Sequence, residues 1–245
     1  MIVRPAIPAG GQPIELDTEE GKARLVELYT PPRRHWVRLN LIASVSGSAS
    51  GSDGTSETLT NPTDRAILRV IRDLSDVVVV GAASVRAEGY VIPRHAALAV
   101  VTATGDFSGH QIRSGKDRGA LLVVCPPSAA QRAEESLGDT PHIIIPVSSA
   151  GSQLDPADIV RSLRNAGYHS VVCEGGPSLA AQFVRAGILD EFCLTVAPVL
   201  NGAALPLFGG HGFSELRLRL SQLLVDDADF LYSRWLPEEP AATGR

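Results

Sequence analysis

The residues best suited to chemistry stand where an apolar run meets a helix-opening proline: Glu174-Gly175-Gly176-Pro177-Ser178. Paired glycines let a ligand approach the backbone, and the unpaired N–H groups of a helix start suit a phosphate. Glu174 would then stand at a strand tip, and an acid after four largely apolar residues is costly to bury without a partner or ligand. A plain strand-to-helix turn accounts for the same residues, because two glycines are a weak version of the phosphate-loop patterns. A second junction of this kind is Gly81-Ala82-Ala83-Ser84-Val85-Arg86-Ala87-Glu88-Gly89. Its small residues admit a phosphate or a ribose, or else a helix packed closely on a sheet. The third candidate is residues 44–60, SVSGSASGSDGTSETLT. Those hydroxyls suit a polar heterocycle or sugar, and they are equally the ordinary composition of a surface loop.

Other chemistries lack their residues. There is no G-x-S-x-G, and the three cysteines, Cys125, Cys173 and Cys193, lie in or at the end of apolar runs without C-x-x-C spacing, as reduced core thiols would. The six histidines are scattered singly, without the spacing that puts two ligands on one helical face, so no metal site is expected. Neither G-x-G-x-x-G nor a Walker A sequence occurs. Two glycine-containing strand ends without a nucleophile point to an enzyme whose cofactor carries the reactive atom.

The elements that must hold these residues follow from composition and periodicity. With 44% hydrophobic and 20% charged residues among 245, the chain is neither disordered, collagenous nor a coiled coil. Net charge −5 without a basic block argues against nucleic acid or an anionic membrane as partner. No 18-residue apolar stretch or signal-peptide core is present, so a cytoplasmic location is expected. Asp17 and Glu20 suggest a capping box opening a short helix through Tyr29, in an extension, 1–34, packed on the domain. Trp36–Ala43 reads as a strand entering a buried sheet. Asn61-Pro62 opens a helix with Ile67, Leu68 and Ile71 on one stripe, and Val77–Val80 is the β-branched run of a central parallel strand. Strands at 98–102, 120–125, 142–145 and 170–174 alternate with helices at 128–137, 156–166 and 177–186. Strand-like segments at 191–196, 215–224 and 229–235, with a turn at Asp226-Asp227, predict a sheet that ends antiparallel. The organisation is one domain, 35–236, and a frayed tail, 237–245.

The blocks LNLIASVSGS…GTSETLTNPTDR…LRVIRDLSDVVVVGAASVRAEGY and SVVCEGGPSLAAQFVRAGILDEFCLTVAPVLNG resemble the pyrimidine reductase of riboflavin biosynthesis, the C-terminal domain of RibD-type proteins. The resemblance runs from about residue 36 to about residue 235. It implies a dihydrofolate-reductase-like α/β fold: a mainly parallel central sheet, helices on both faces and antiparallel C-terminal strands. It further implies NADPH as cofactor, and reduction of 5-amino-6-(5-phosphoribosylamino)uracil by hydride transfer to C1′ of the ribosyl group. Carried over by motif, Gly175, Gly176, Pro177, Ser178, Leu179 and Ala180 would cradle the cofactor pyrophosphate. Gly81, Ser84 and Glu88 would lie on the cofactor side of the second junction, and Thr102 and Ala103 near the adenosine end. Ser56, Arg72 and Glu174 match substrate-side positions, Glu174 with a catalytic role. Taken alone, Arg72 reads rather as a solvated helix residue able to pair with Asp73 or Asp76, and Ser56 as an ordinary loop residue.

The departures concern the substrate half. Family members usually read S-L-D-G-K or S-L-D-G-R where this chain has Ser44-Val45-Ser46-Gly47-Ser48, so an acid and a cation near the reacting sugar are missing. Restoring them with Ser46→Asp and Ser48→Lys is expected to raise turnover. The segment after Glu88 is also trimmed, with Arg94 and His95 as its cations. Two alternatives follow: a reductase of another heterocycle such as a dihydrofolate or dihydropterin, and a catalytically silent nucleotide-binding protein. The resemblance also implies a homodimer, with Leu218, Leu220, Leu223, Leu224 and Phe230 as surplus apolar surface.

Overall fold

Val77, Val78, Val79 and Val80 are all fully buried, and alternate between two apolar clusters: Val78 and Val80 face one, Val77 and Val79 the other. A strand buried on both faces requires helices on both sides of its sheet. The computed structural model, which describes residues 1–150, 153–202 and 205–238, has that arrangement. Its strands and helices are β1 (Ile2–Ile7), β2 (Ile14–Glu15), α1 (Glu19–Tyr29), β3 (Trp36–Ser44), α2 (Pro62–Asp73), β4 (Val77–Gly81) and α3 (Ala82–Ala87). There follow β5 (Ala97–Val101), β6 (Leu121–Cys125), α4 (Pro127–Leu137), β7 (Ile143–Pro146), the small hairpin β8 (Ser149–Ala150) and β9 (Gln153–Leu154), and α5 (Pro156–Asn165). The chain continues through β10 (Ser170–Gly175), α6 (Pro177–Arg185), β11 (Glu191–Ala197), β12 (Leu218–Asp226) and β13 (Leu231–Pro237).

One eleven-stranded sheet runs β2-β1-β12-β13-β11-β3-β10-β4-β5-β6-β7. From β11 to β7 every neighbouring pair is parallel; from β11 outward to β2 every pair is antiparallel. On one face α1 to α4 contribute Leu25, Ile67, Ile71, Val85 and Leu137; on the other, α5 and α6 contribute Ile159, Leu163, Leu179 and Phe183. No helix among the described residues is long and apolar enough to cross a membrane.

Several local expectations change. The cap of α1 is Thr18, whose hydroxyl accepts from the Gly21 N–H at 3.0 Å; Asp17 pairs instead with the terminal ammonium. The N-terminal residues expected as a packed extension contribute two strands to the sheet itself, Val3 pairing with Asp226 across the edge. β11, grouped by sequence with the antiparallel end, is parallel to β3. The expected tail lies almost wholly outside the described residues.

Leu224 and Phe230 are core residues rather than surplus surface, because they point to the face that Tyr232 and α1 cover. The uncovered part is the opposite face of the antiparallel half. There Leu194, Val196, Leu220, Leu223 and Trp235 are only half-buried, since α5 and α6 cover the parallel half and reach no further than Phe192.

A buried ionic network fixes α1 to the sheet. Glu191, 0% exposed, accepts from Arg38 Nε at 2.6 Å, from Trp36 Nε1 at 2.9 Å and from Arg234. Arg38, 2% exposed, also donates to the Tyr29 carbonyl at 2.7 Å. Burial works to raise the Glu191 carboxyl, yet the two guanidiniums and the indole N–H overcome it and hold the group below the usual carboxylate range.

Candidate functional site

The parallel strands direct their carboxyl ends to one edge, where ligands of open α/β sheets collect. Here β10 lies between β3 and β4, so the two glycine junctions become neighbours. Gly176 N–H donates to Ser84 Oγ at 3.1 Å, and a Cβ at 176 would come within 2.8 Å of that oxygen. Gly175 has φ +84°, a left-handed conformation that glycine adopts without strain, and so turns the chain from β10 into α6. No side chain caps the start of α6, which leaves its first N–H groups to the cleft.

That cleft encloses about 1330 Å³ and runs from β3 to β5. Of the expected cofactor residues, Gly81, Ser84, Glu88, Thr102, Ala103, Gly176, Pro177, Ser178 and Leu179 line it. Gly175 and Ala180 stand behind the wall: both are buried, and the Ala180 N–H is already taken by the Gly176 carbonyl at 3.0 Å. Cysteine chemistry is remote, because burial pushes the thiols of Cys173 and Cys193 up to about 12.

The expected substrate residues also line the cleft, with partners the sequence did not pair. Arg72 grips Glu174 through two parallel bonds, Nε to Oε1 and Nη2 to Oε2, each 2.7 Å. So the acid's burial is compensated internally, and Arg72 pairs with neither Asp73 nor Asp76. Burial pulls the Arg72 guanidinium down, but the Glu174 charge and its hydrogen bonds more than reverse this and hold it above its ordinary value. Half-buried Tyr90 faces the pair, and burial together with the Glu174 carboxylate pushes its phenol up. Ser56 and Glu88, expected on opposite halves, bind each other: the Ser56 N–H donates at 2.9 Å and its hydroxyl at 3.2 Å. This contact pins the long loop to the end of α3.

Three features escaped the sequence reading. Arg65, Arg69 and Arg72 all line the cleft from α2; their spacing of four and three is one helical stripe, opposite Ile67 and Ile71. Asp64, on the same helix, also lines the cleft, as does Asn40 of β3. Residues 44–48 do not. Ser46 hydrogen-bonds the Asn201 carbonyl at 2.6 Å, and Ser48, 0% exposed, donates to the Ser50 carbonyl at 2.9 Å. The expectation for Ser46→Asp with Ser48→Lys is therefore withdrawn: a lysine at 48 would bury an ammonium rather than present it to the cleft.

Comparison with known proteins agrees with this architecture. A RibD protein from Mycobacterium tuberculosis is 25% identical over 173 residues, 71% of this chain and 45% of that protein. The chain thus spans about half the length of the curated relatives it matches. The crystal structure of a pyrimidine reductase-like protein from Corynebacterium diphtheriae superposes with TM-score 0.65 at 24% identity, over 84% of this chain and 92% of that one. A riboflavin biosynthesis reductase from Saccharomyces cerevisiae gives 0.66 at 14% identity, over 88% and 98%. The expected fold, with a mainly parallel sheet, helices on both faces and antiparallel C-terminal strands, is the one observed. The RibD C-terminal domain pattern matches residues 35–232, which takes in every strand that lines the cleft, and the chain belongs to that family.

Proposed function

We propose that this chain is an NADPH-dependent reductase that acts on 5-amino-6-(5-phosphoribosylamino)uracil, reducing C1′ of the ribosyl group. The observation that carries this reading is the single cleft joining both glycine junctions to the Arg72–Glu174 pair. Its roughly 1330 Å³ exceeds the 300–1,000 Å³ of a pocket for one drug-sized ligand, so cofactor and substrate have room side by side. The residues present fit a dinucleotide: an uncapped nine-residue helix, a backbone at Gly176 that the Ser84 hydroxyl alone approaches, and the small residues 81–84. NADPH supplies the hydride when bound. The first N–H groups of α6 and the Ser84 hydroxyl would orient its phosphates, and Thr102 and Ala103 would border its adenosine end. At the other end Arg69, which forms no ion pair among the described residues, and Arg72, fixed by Glu174, would be the cations that meet a phosphorylated sugar. Three buried, unpaired cysteines support the cytoplasmic location.

Glu174 acts here as a positioning residue for Arg72. Glu174→Gln keeps the shape but turns one acceptor oxygen into a donor that faces a guanidinium. It is expected to lower kcat/KM for the ribosylamino-uracil phosphate about tenfold or more, roughly 1.4 kcal/mol, with NADPH affinity nearly unchanged. Nicotinamide absorbance with that substrate and with a dihydropterin tests both. Turnover of the pterin alone would overturn the assignment, and NADPH binding without turnover of either would make the chain a silent binder.

The reading includes a homodimer. Support comes from the half-buried Leu194, Val196, Leu220, Leu223 and Trp235 on a part of the sheet face that neither α5 nor α6 covers, apolar surface of the sort that marks an interface. Sedimentation equilibrium is expected to give twice the chain mass, and Leu220→Glu to give the single mass; a wild-type monomer at all concentrations would contradict this.

A further inference from the structure

Of the acids that line the cleft, Glu57 pairs with Arg65, Glu174 with Arg72, and Glu88 with the N–H and hydroxyl of Ser56. Asp73 is exposed at the rim. Asp64 differs from all of them. It is half-buried on the first turn of α2, and among the described residues it forms no ion pair. Its carboxylate is held by two hydroxyls from separate elements: Thr60 donates to Oδ2 and Thr195 of β11 to Oδ1, each at 2.7 Å. Each oxygen therefore has one acceptor direction committed and another available. Burial pushes the Asp64 carboxyl up; the two hydroxyls and Arg65 work against this, while Glu174 adds to it.

Its position separates Asp64 from the glycine junctions. Those lie at the tips of β10 and β4, whereas Asp64 bonds to Thr195, which is in register with Ile42 of β3, two residues beyond Asn40. Asn40, Ile42 and Leu68 line this end of the cleft with it. Two apolar side chains, an amide and a rigidly held carboxylate with free acceptor directions are the parts that a flat heterocycle with N–H donors requires.

We propose that Asp64 anchors the substrate ring by accepting two adjacent N–H groups, and so selects pyrimidines that carry such a pair. In a 6-aminouracil these are N1–H and the exocyclic N–H; uracil, with hydrogen on C6, has no second donor there. The proposal rests on the reading of the cleft as a pyrimidine reductase site, and names the group that recognises the ring. A ring that lacks the pair leaves a half-buried carboxylate without its donors, which a site built for hydrogen bonds rejects strongly.

The test uses small rings so that it does not depend on turnover. Isothermal titration of the wild-type, NADPH-loaded protein is expected to show 6-aminouracil binding at least about tenfold more tightly than uracil. In Asp64→Asn the difference disappears, KM for the ribosylamino-uracil phosphate rises about tenfold with kcat within a few fold, and NADPH affinity is retained as the check on folding. Asp64→Ala provides a second variant with the same expected loss. Equal binding of the two rings by the wild type, or an unchanged preference in both variants, would overturn the proposal. If the ring preference depends on Asp64 but no ribosylamino-pyrimidine is reduced, the anchor stands and the reductase reading falls.

Discussion

Arg38→Met is expected to lower the free energy of unfolding by about 3–5 kcal/mol, as seen when one partner of a buried ion pair is removed. Glu191, fully buried, would lose the better placed of its two cations, and the Tyr29 carbonyl would lose its donor. Denaturant unfolding of the variant measures this directly. Arg38→Met combined with Glu191→Leu should recover only part of the loss, because it removes the buried carboxylate left alone but deprives Arg234 and the Trp36 indole N–H of their acceptor. The same network gives stability a defined pH dependence. Glu191 and Asp226 are both held below their ordinary carboxylate values, against the opposing effect of burial: Glu191 by Arg38 and Arg234, Asp226 by hydrogen bonds from Tyr232 and Asn61. Their contribution is complete above the unfolded-state pKa and is lost as the pH falls through the folded one, a window below about pH 4.5. Wild-type midpoints should therefore fall on acidification, and the double variant should show a shallower decline.

The second large effect concerns Gly176. Gly176→Asp puts a carboxylate between Ser84 Oγ and the open start of α6, where the NADPH reading places pyrophosphate. Like-charge repulsion in a partly buried site should cost about 2 kcal/mol or more, roughly a 30-fold loss of NADPH affinity. Gly176→Ala is the informative control. Its Cβ needs only the Ser84 hydroxyl to swing aside, so the loss should be several-fold. Fluorescence titration with NADPH resolves the two, and unchanged affinity in the aspartate variant would put the cofactor elsewhere.

How much of this could be read in the sequence depended on the range of the interactions. Val77–Val80 and the strand at 170–174 were legible because burial on both faces selects β-branched runs locally. The cap at Asn61 was legible for the same reason: it is settled within one turn. β1 was not. Its partner lies more than two hundred residues away, and Pro5 and Pro8 mask any strand period. The glycine junctions could be named, but their contact through Ser84 depends on β10 being inserted beside β4. Arg72 and Glu174 were both singled out, yet nothing local joins residues 102 apart. Asp64 was hidden by its setting, since an acid in a first turn needs no further explanation. The arginine stripe on α2 was available at its four-and-three spacing.

The place of β10 in the sheet has a consequence for synthesis. β3 and β4 follow one another in the chain but never pair; β10 occupies the gap, and β11 closes the other side of β3. Until residue 175 has left the ribosome, the emerging polypeptide carries two apolar strands with bare inner edges, the kind of surface that recruits other chains. More than two thirds of these 245 residues must therefore be kept from other chains, by chaperones or by the early helices, before the centre of the sheet can close. The strand that seals the sheet is also the one that delivers Glu174, so a half-made chain can hold neither its core nor its cleft.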